Sequence, residues 1–280
     1  MTIWKKAFGT AVLTGLIAGC ASAPTGNYQY DDANSHAWNI ATAGGIYGIQ
    51  DTVVAEEHRV HFTRTGAYTG LSIAAAIGSP IMGGLSILSD SFSARNQNAR
   101  PAIVAWMPVE LANDPDHAVS VLESLLVDAT KDALDKLGAT YFHLGRDAQK
   151  ENFHFFREDW DCPMRDPDAP SRYDFGCHIS IGGSENRPPI ISHSPVQFIE
   201  SPSDAYFFQS SHKVFYPRLE IRGLAKGNVP TMEIYSAISA LVPDWAFFYI
   251  PAGGAKDAEG QRAEYPIVMS QGQAYFFITP

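Results

Sequence analysis

The sequence predicts an α+β fold: a mixed sheet with two main helices packed on one face, preceded by a helical region rich in small residues. Three observations lead there. About eight short runs rich in β-branched and aromatic residues follow residue 100, each punctuated by Pro, Gly, Asn, Asp or Ser. Two segments, 115–137 and 230–241, instead carry apolar residues at helical spacing. Strands and helices come in separated bursts.

Residues 102–106 read as a buried strand that Pro108 stops. Asn113 or Asp114 followed by Pro115 begins the clearest helix of the chain. Ala118, Leu122, Leu125, Ala129 and Ala133 share one face of it, with Leu126 and Leu137 beside them. Lys131 and Lys136 suit the negative end of its dipole, and Gly138 closes it. Strands are expected at 140–144, 153–156, 178–181, 205–209 and 213–221. A second helix spans 230–241, where Met232, Ile234, Tyr235, Ile238 and Leu241 provide its apolar contacts and Pro243 ends it. Residues 245–250 form a strand, and 265–269 with 274–278 form a terminal hairpin around Ser270-Gln271-Gly272-Gln273.

Residues 35–100 differ in texture. Ser35 is placed to cap a short helix through Trp38, Ile40 and Ala41, which Gly44, Gly45 and Gly48 weaken. Residues 65–89 carry no charge, and Gly66, Gly70, Ala74 and Gly78 recur every fourth residue. On a helix that interval lines small residues along one stripe, where another helix approaches closely. Ser79-Pro80 offers an N-cap and a restart, so two helical halves are expected. Three destinations stay open for this stretch: a buried hairpin within one subunit, packing against other subunits or partner proteins, and a membrane span.

At the start of the chain, Lys5 and Lys6 precede an uncharged, mostly apolar run, 7–18, and the segment ends Ile17-Ala18-Gly19-Cys20. The run is shorter than the roughly 20 residues that a helix needs to cross a bilayer. It has the build of a secretory signal, and its ending resembles the lipobox of bacterial lipoproteins. That resemblance implies cleavage before Cys20, diacylation of its sulfur and usually acylation of the freed amine. Ala21 follows the cysteine in place of the Asp that commonly retains lipoproteins at the inner membrane, so the resemblance implies outer-membrane sorting. The expected organisation is a signal peptide at 1–19, a flexible tether at 20–34, the Gly/Ala-rich helical region at 35–100 and the α+β domain at 101–280.

Charge and cysteine count narrow the function classes. The formal charge is −10, and removing 1–19 with its two lysines takes it to −12 over 261 residues. A surface this acidic lacks the footprint that phosphate backbones and anionic headgroups require, so no nucleic-acid partner is expected and membrane association falls to the acyl chains. With Cys20 acylated, Cys162 and Cys177 remain, and an even remainder in an exported chain reads as a disulfide. Closing that loop is worth about 3 kcal/mol on the chain-entropy model. A zinc pair with His178 as third ligand is the competing idea, but its spacing matches no common zinc pattern.

No nucleophile, zincin or phosphate-loop motif sits on the element it needs. His58 and His61 lack a third ligand, so a solvated charged face is the simpler reading. The acidic run Asp159, Asp161, Asp166, Asp168 and Asp174 is not spaced as an EF-hand. No metal, cofactor or catalytic residue is therefore expected. An envelope hydrolase is the least favoured class, since triads can be assembled from scattered residues, and two non-enzymatic classes stand ahead of it. One is a non-catalytic structural or assembly lipoprotein that contacts other envelope proteins or itself, and the other is a module binding glycan, peptide or lipid. The second rests on aromatics such as Trp160, Tyr173, Tyr206, Phe207 and Phe208, which in strands are more often core than platform. The address has a direct check: a fatty-acid analogue fed to cells should label the wild type and not Cys20→Ala, and equal labelling of both would refute acylation at Cys20.

Overall fold

A computed structural model describes residues 28–53, 100–147, 150–164, 177–182, 187–192, 204–209, 218–223, 228–258, 260, 262–263 and 265–279. Over these residues the chain forms three α-helices and ten strands in two sheets, so the α+β class holds with β structure in the majority. The single mixed sheet expected from sequence is two sheets, and every named strand pair in them is antiparallel. The reason lies in pairings across the chain, which short apolar runs do not specify.

The six-stranded sheet is built on β1 (Ala102–Pro108), which lies between β6 (Ala205–Phe208) and β8 (Ala246–Ile250). All five residues of β8, all four of β6 and the first six of β1 are buried, the mark of central strands covered on both faces. Trp106 stacks on Phe207 with ring centroids 5.5 Å apart and meets Phe247 edge-on at 5.7 Å. The sheet continues from β8 through β9 (Ile267–Ser270) to β10 (Gln273–Phe276), and β5 (Ile190–Ile191) closes its other edge.

The four-stranded sheet runs β2 (Thr140–Asp147), β3 (Lys150–Phe156), β4 (Cys177–Gly182), β7 (Arg218–Arg222). It approaches the larger sheet where β7 nears β1.

Helix α1 (His36–Ala43) begins where Ser35 Oγ accepts from the Trp38 N–H at 3.0 Å, as its capping residue predicts. Helix α2 (Pro115–Lys136) has Asp114 as N-cap, accepting from the His117 N–H at 2.8 Å, and Pro115 at its first position. Its buried side is Ala118, Leu122, Leu126, Ala129, Thr130, Ala133 and Leu134, so the stripe runs through Leu126 and Leu134 while Leu125 is only partly covered. Gly138, at φ +68°, turns the chain out of the helix. Helix α3 (Thr231–Ser239) contacts α2 and β8, β9 and β10, whereas α2 also nears β2 and β4.

Sequence-distant segments are tied by polar contacts. Gln271 and Gly272, both at positive φ, make the β9–β10 turn, and its tip docks on the end of α3. There the Gly272 N–H donates to Ser239 Oγ (3.0 Å), Ser236 Oγ donates to the Gly272 carbonyl (2.8 Å), and Gln271 Nε2 donates to the Val242 carbonyl (2.7 Å). Arg157 binds Asp159 through Nε (2.7 Å), donates to the Leu137 carbonyl at the end of α2, and lies 4.4 Å over the Trp160 ring.

Asn39 organises the N-terminal segment. It is fully buried, accepts from the Tyr28 hydroxyl and the Asp31 N–H at 2.8 Å each, and donates to the carbonyls of Asp31, Asn34 and Ser35. Residues 28–34, placed in the tether by sequence, are thereby hydrogen-bonded to α1. Asp51 accepts from the N–H and hydroxyl of Ser35, and Thr52 joins the far end of the chain, with its N–H on the Phe277 carbonyl at 2.8 Å. Residues 44–53 are turn and extended backbone, which the expected helical character of 35–100 did not include.

Asn39→Ala strips partners from several buried groups at once. It should cost about 2–3 kcal/mol. A lowered urea midpoint with an unchanged slope is the expected reading, and an unchanged midpoint would show that the segment is held by other contacts.

Candidate functional site

The four-stranded sheet has two unlike faces. Strand alternation and register put Phe153, Phe155, Ile179, Ile181, Leu219 and Ile221 on one face, all buried. The opposite face carries three cross-strand rows. They are His154–His178–Arg222, Asn152–Ser180–Glu220 and Lys150–Gly182–Arg218, and Phe142 of β2 extends the first. Successive rows lie about 7 Å apart along the strands.

Local contacts fix much of this face. The His154 and His178 rings are 6.3 Å apart. Ser180 Oγ donates to Asn152 Oδ1 at 2.9 Å, and Asn152 Nδ2 donates to the Lys150 carbonyl at 3.0 Å. Arg222 holds Glu220 with Nε at 2.8 Å. Arg218 lies across Gly182: a Cβ on that glycine would sit 3.0 Å from Arg218 Cγ and 3.3 Å from its Nε. That Nε is buried and has no hydrogen-bond partner among the described residues.

The charges act on one another. Burial, followed by the Arg222 and His154 charges, holds His178 below the ordinary histidine value. Burial pushes the Lys150 ammonium down as well, with Arg218 the leading charge against it and Glu220 opposing. A locally cationic face thus sits on a chain of formal charge −10. At the sheet edge Phe142 is 54% and Leu144 51% exposed, and a bulge between His143 and Gly145 accommodates Leu144.

Of the residues singled out from sequence, Cys162 and Cys177 are joined as a disulfide, with Cα atoms 5.6 Å apart and both residues fully buried. The bond links the turn after β3 to the first residue of β4, and His178 points to the opposite face, so the zinc alternative is set aside. Cys20, Gly66, Gly70, Ala74 and Gly78 lie outside the described residues, as do His58, His61, Asp166, Asp168, Tyr173 and Asp174. Trp160, Tyr206, Phe207 and Phe208 are core, each at most 5% exposed, which leaves them unable to serve as a ligand platform. Among the described residues no three His, Cys, Asp or Glu side chains converge as a metal site, and no helix is long and apolar enough to cross a membrane.

Sequence reasoning passed over Lys150, His154, Arg218 and Arg222, and weighed His178 only as a zinc ligand. A signal was present in part: His178-Ile179-Ser180-Ile181 and Arg218-Leu219-Glu220-Ile221-Arg222 alternate polar residues with apolar ones, whereas Glu151 breaks the alternation between Lys150 and His154. Only the pairing register makes one surface of the three. Comparison with protein-family models, curated proteins and solved structures finds no match.

A group whose pKa is lowered by folding contributes stability above its ordinary value and loses it as pH falls through the folded value. His178 should therefore weaken the fold as pH drops below the ordinary histidine range near 6.5. Urea midpoints stepped from pH 7.5 to 5 should fall, and His178→Gln should flatten part of that fall. Identical slopes for both proteins would remove His178 from the pH response.

Proposed function

We propose that this chain is an outer-membrane lipoprotein, held through acyl chains on Cys20, that serves as a non-catalytic component of an envelope assembly. The observation that carries the reading is the one-sided four-stranded sheet. Its inner face is spent in the core, and its outer face carries cations and imidazoles beside the exposed residues Arg222, Phe142 and Leu144, which a partner could meet. The Cys162–Cys177 bond supports an exported location, since disulfides persist in oxidising compartments. The stripe of Gly66, Gly70, Ala74 and Gly78 is proposed as a second contact, with another envelope protein or a second copy.

The tether length bears on how far from the lipid the fold would stand. Tyr28 is the first residue held by Asn39, and it lies eight positions after Cys20. A fully extended chain spans at most about 3.6 Å per residue, so the tether reaches no more than about 29 Å from the lipid. Tyr28 would therefore stand close to the leaflet that carries the acyl chains. A second reading, a ligand-binding module at the same location, is favoured by the buried and unpartnered Nε of Arg218.

A photo-crosslinking amino acid placed at 142 or 144 in intact cells should trap a discrete adduct that the same group at the exposed Leu111 does not. Gly70→Leu and Gly78→Leu should reduce copurifying protein if the stripe is a contact. A lone monomer at every position would end the assembly reading in favour of the ligand-binding one.

A further inference from the structure

We propose that the outer face of the four-stranded sheet binds a phosphate-class oxyanion between Arg218 and Lys150, above Gly182. This deepens the ligand-binding reading above by naming the chemistry of the ligand. Lys150 on β3 and Arg218 on β7 flank Gly182 of β4 in one cross-strand row. Their backbones are two strand spacings apart, roughly 10 Å, and the residue between them has no side chain to fill the gap. Arg218 already lies over the glycine, its Cγ and Nε close to where a Cβ would stand, so any larger residue there would displace the guanidinium.

An acceptor is missing from this arrangement. The one carboxylate on the neighbouring row, Glu220, is engaged by Arg222, and the buried Arg218 Nε has no partner among the described residues. Two like charges held side by side repel, and the Arg218 charge, after burial, disfavours the charged form of Lys150. An anion seated between them removes that repulsion and satisfies the orphaned donor. A tetrahedral ion suits the geometry better than a planar carboxylate. One guanidinium fork can engage both oxygens of a carboxylate, whereas a phosphate still presents oxygens to an ammonium on its other side.

The test uses mature lipidated protein in neutral detergent at pH 7, with the imidazole resonances of His154 and His178 as reporters on the same face. Inorganic phosphate, titrated against chloride at matched ionic strength, should give a saturable shift. Arg218→Gln should raise the half-saturating concentration at least tenfold. Lys150→Gln should do likewise, and it serves if Arg218→Gln fails to fold. A second arm adds phosphatidylglycerol to the micelles. Saturation in that arm alone assigns the phosphate to a lipid headgroup, and saturation by inorganic phosphate assigns it to a soluble phosphorylated ligand. No saturable shift in either arm, or an unchanged half-saturation in both variants, overturns the proposal. In-cell crosslinking at 142 and 144 is read without phosphate: a discrete protein adduct there counts against the ligand-binding reading itself, whereas a null result in both phosphate arms removes only the phosphate chemistry.

Discussion

The burial of β1 on both faces is the constraint from which the rest of the architecture follows. Ala102 to Met107 leave no side chain to solvent, so covering structure has to come from elsewhere in the chain on each side. Its partners are β6, about a hundred residues onward, and β8, about forty beyond that. Pairing over such separations carries a loop-closure cost that the apolar contacts of Trp106, Phe207 and Phe247 offset. Once β1 is committed, the terminal hairpin is aligned through β8, and α3 is bound to that hairpin by the Ser236, Ser239 and Gln271 hydrogen bonds.

The second sheet obeys a weaker demand and so has one polar face. One side of β3, β4 and β7 supplies core residues, and the other is released to carry polar ones. The disulfide anchors β4 to the turn after β3, and Arg157 joins that turn to the end of α2. The frame under the cationic rows is therefore closed by a covalent bond and joined to α2 by a hydrogen bond. A rigid frame suits recognition, because the rows keep their spacing with or without an occupant.

The N-terminal segment links fold and proposed tether. Asn39 holds residues 28–35 on α1, and Thr52 pairs with the last strand region around Ile278. His36 lies 4.8 Å from Tyr275, so α1 also leans on the hairpin. Force along a tether would enter the fold at Tyr28 and pass through buried hydrogen bonds to the C-terminal hairpin, instead of peeling a loose end.

Local chemistry was legible in the sequence. Ser35, Asp114 with Pro115, Gly138 and Gln271-Gly272 marked their caps and turns because capping and positive φ depend on one or two residues. The α2 helix and most strands followed from period alone, since burial of one face imposes that period. The cysteine pair followed from counting in a chain expected to be exported, and the lipobox resemblance set that expected address. Division of the strands between two antiparallel sheets was not legible, because an apolar run states that it is buried and not beside whom. Asn39 gave no signal either, as its role exists only once Tyr28, Asp31 and Ser35 surround it. The cationic face is the clearest case: Lys150, His178, Arg218 and Arg222 are scattered over more than seventy residues, and register alone gathers them. Charge density follows distance in space, which the order of residues along the chain does not contain.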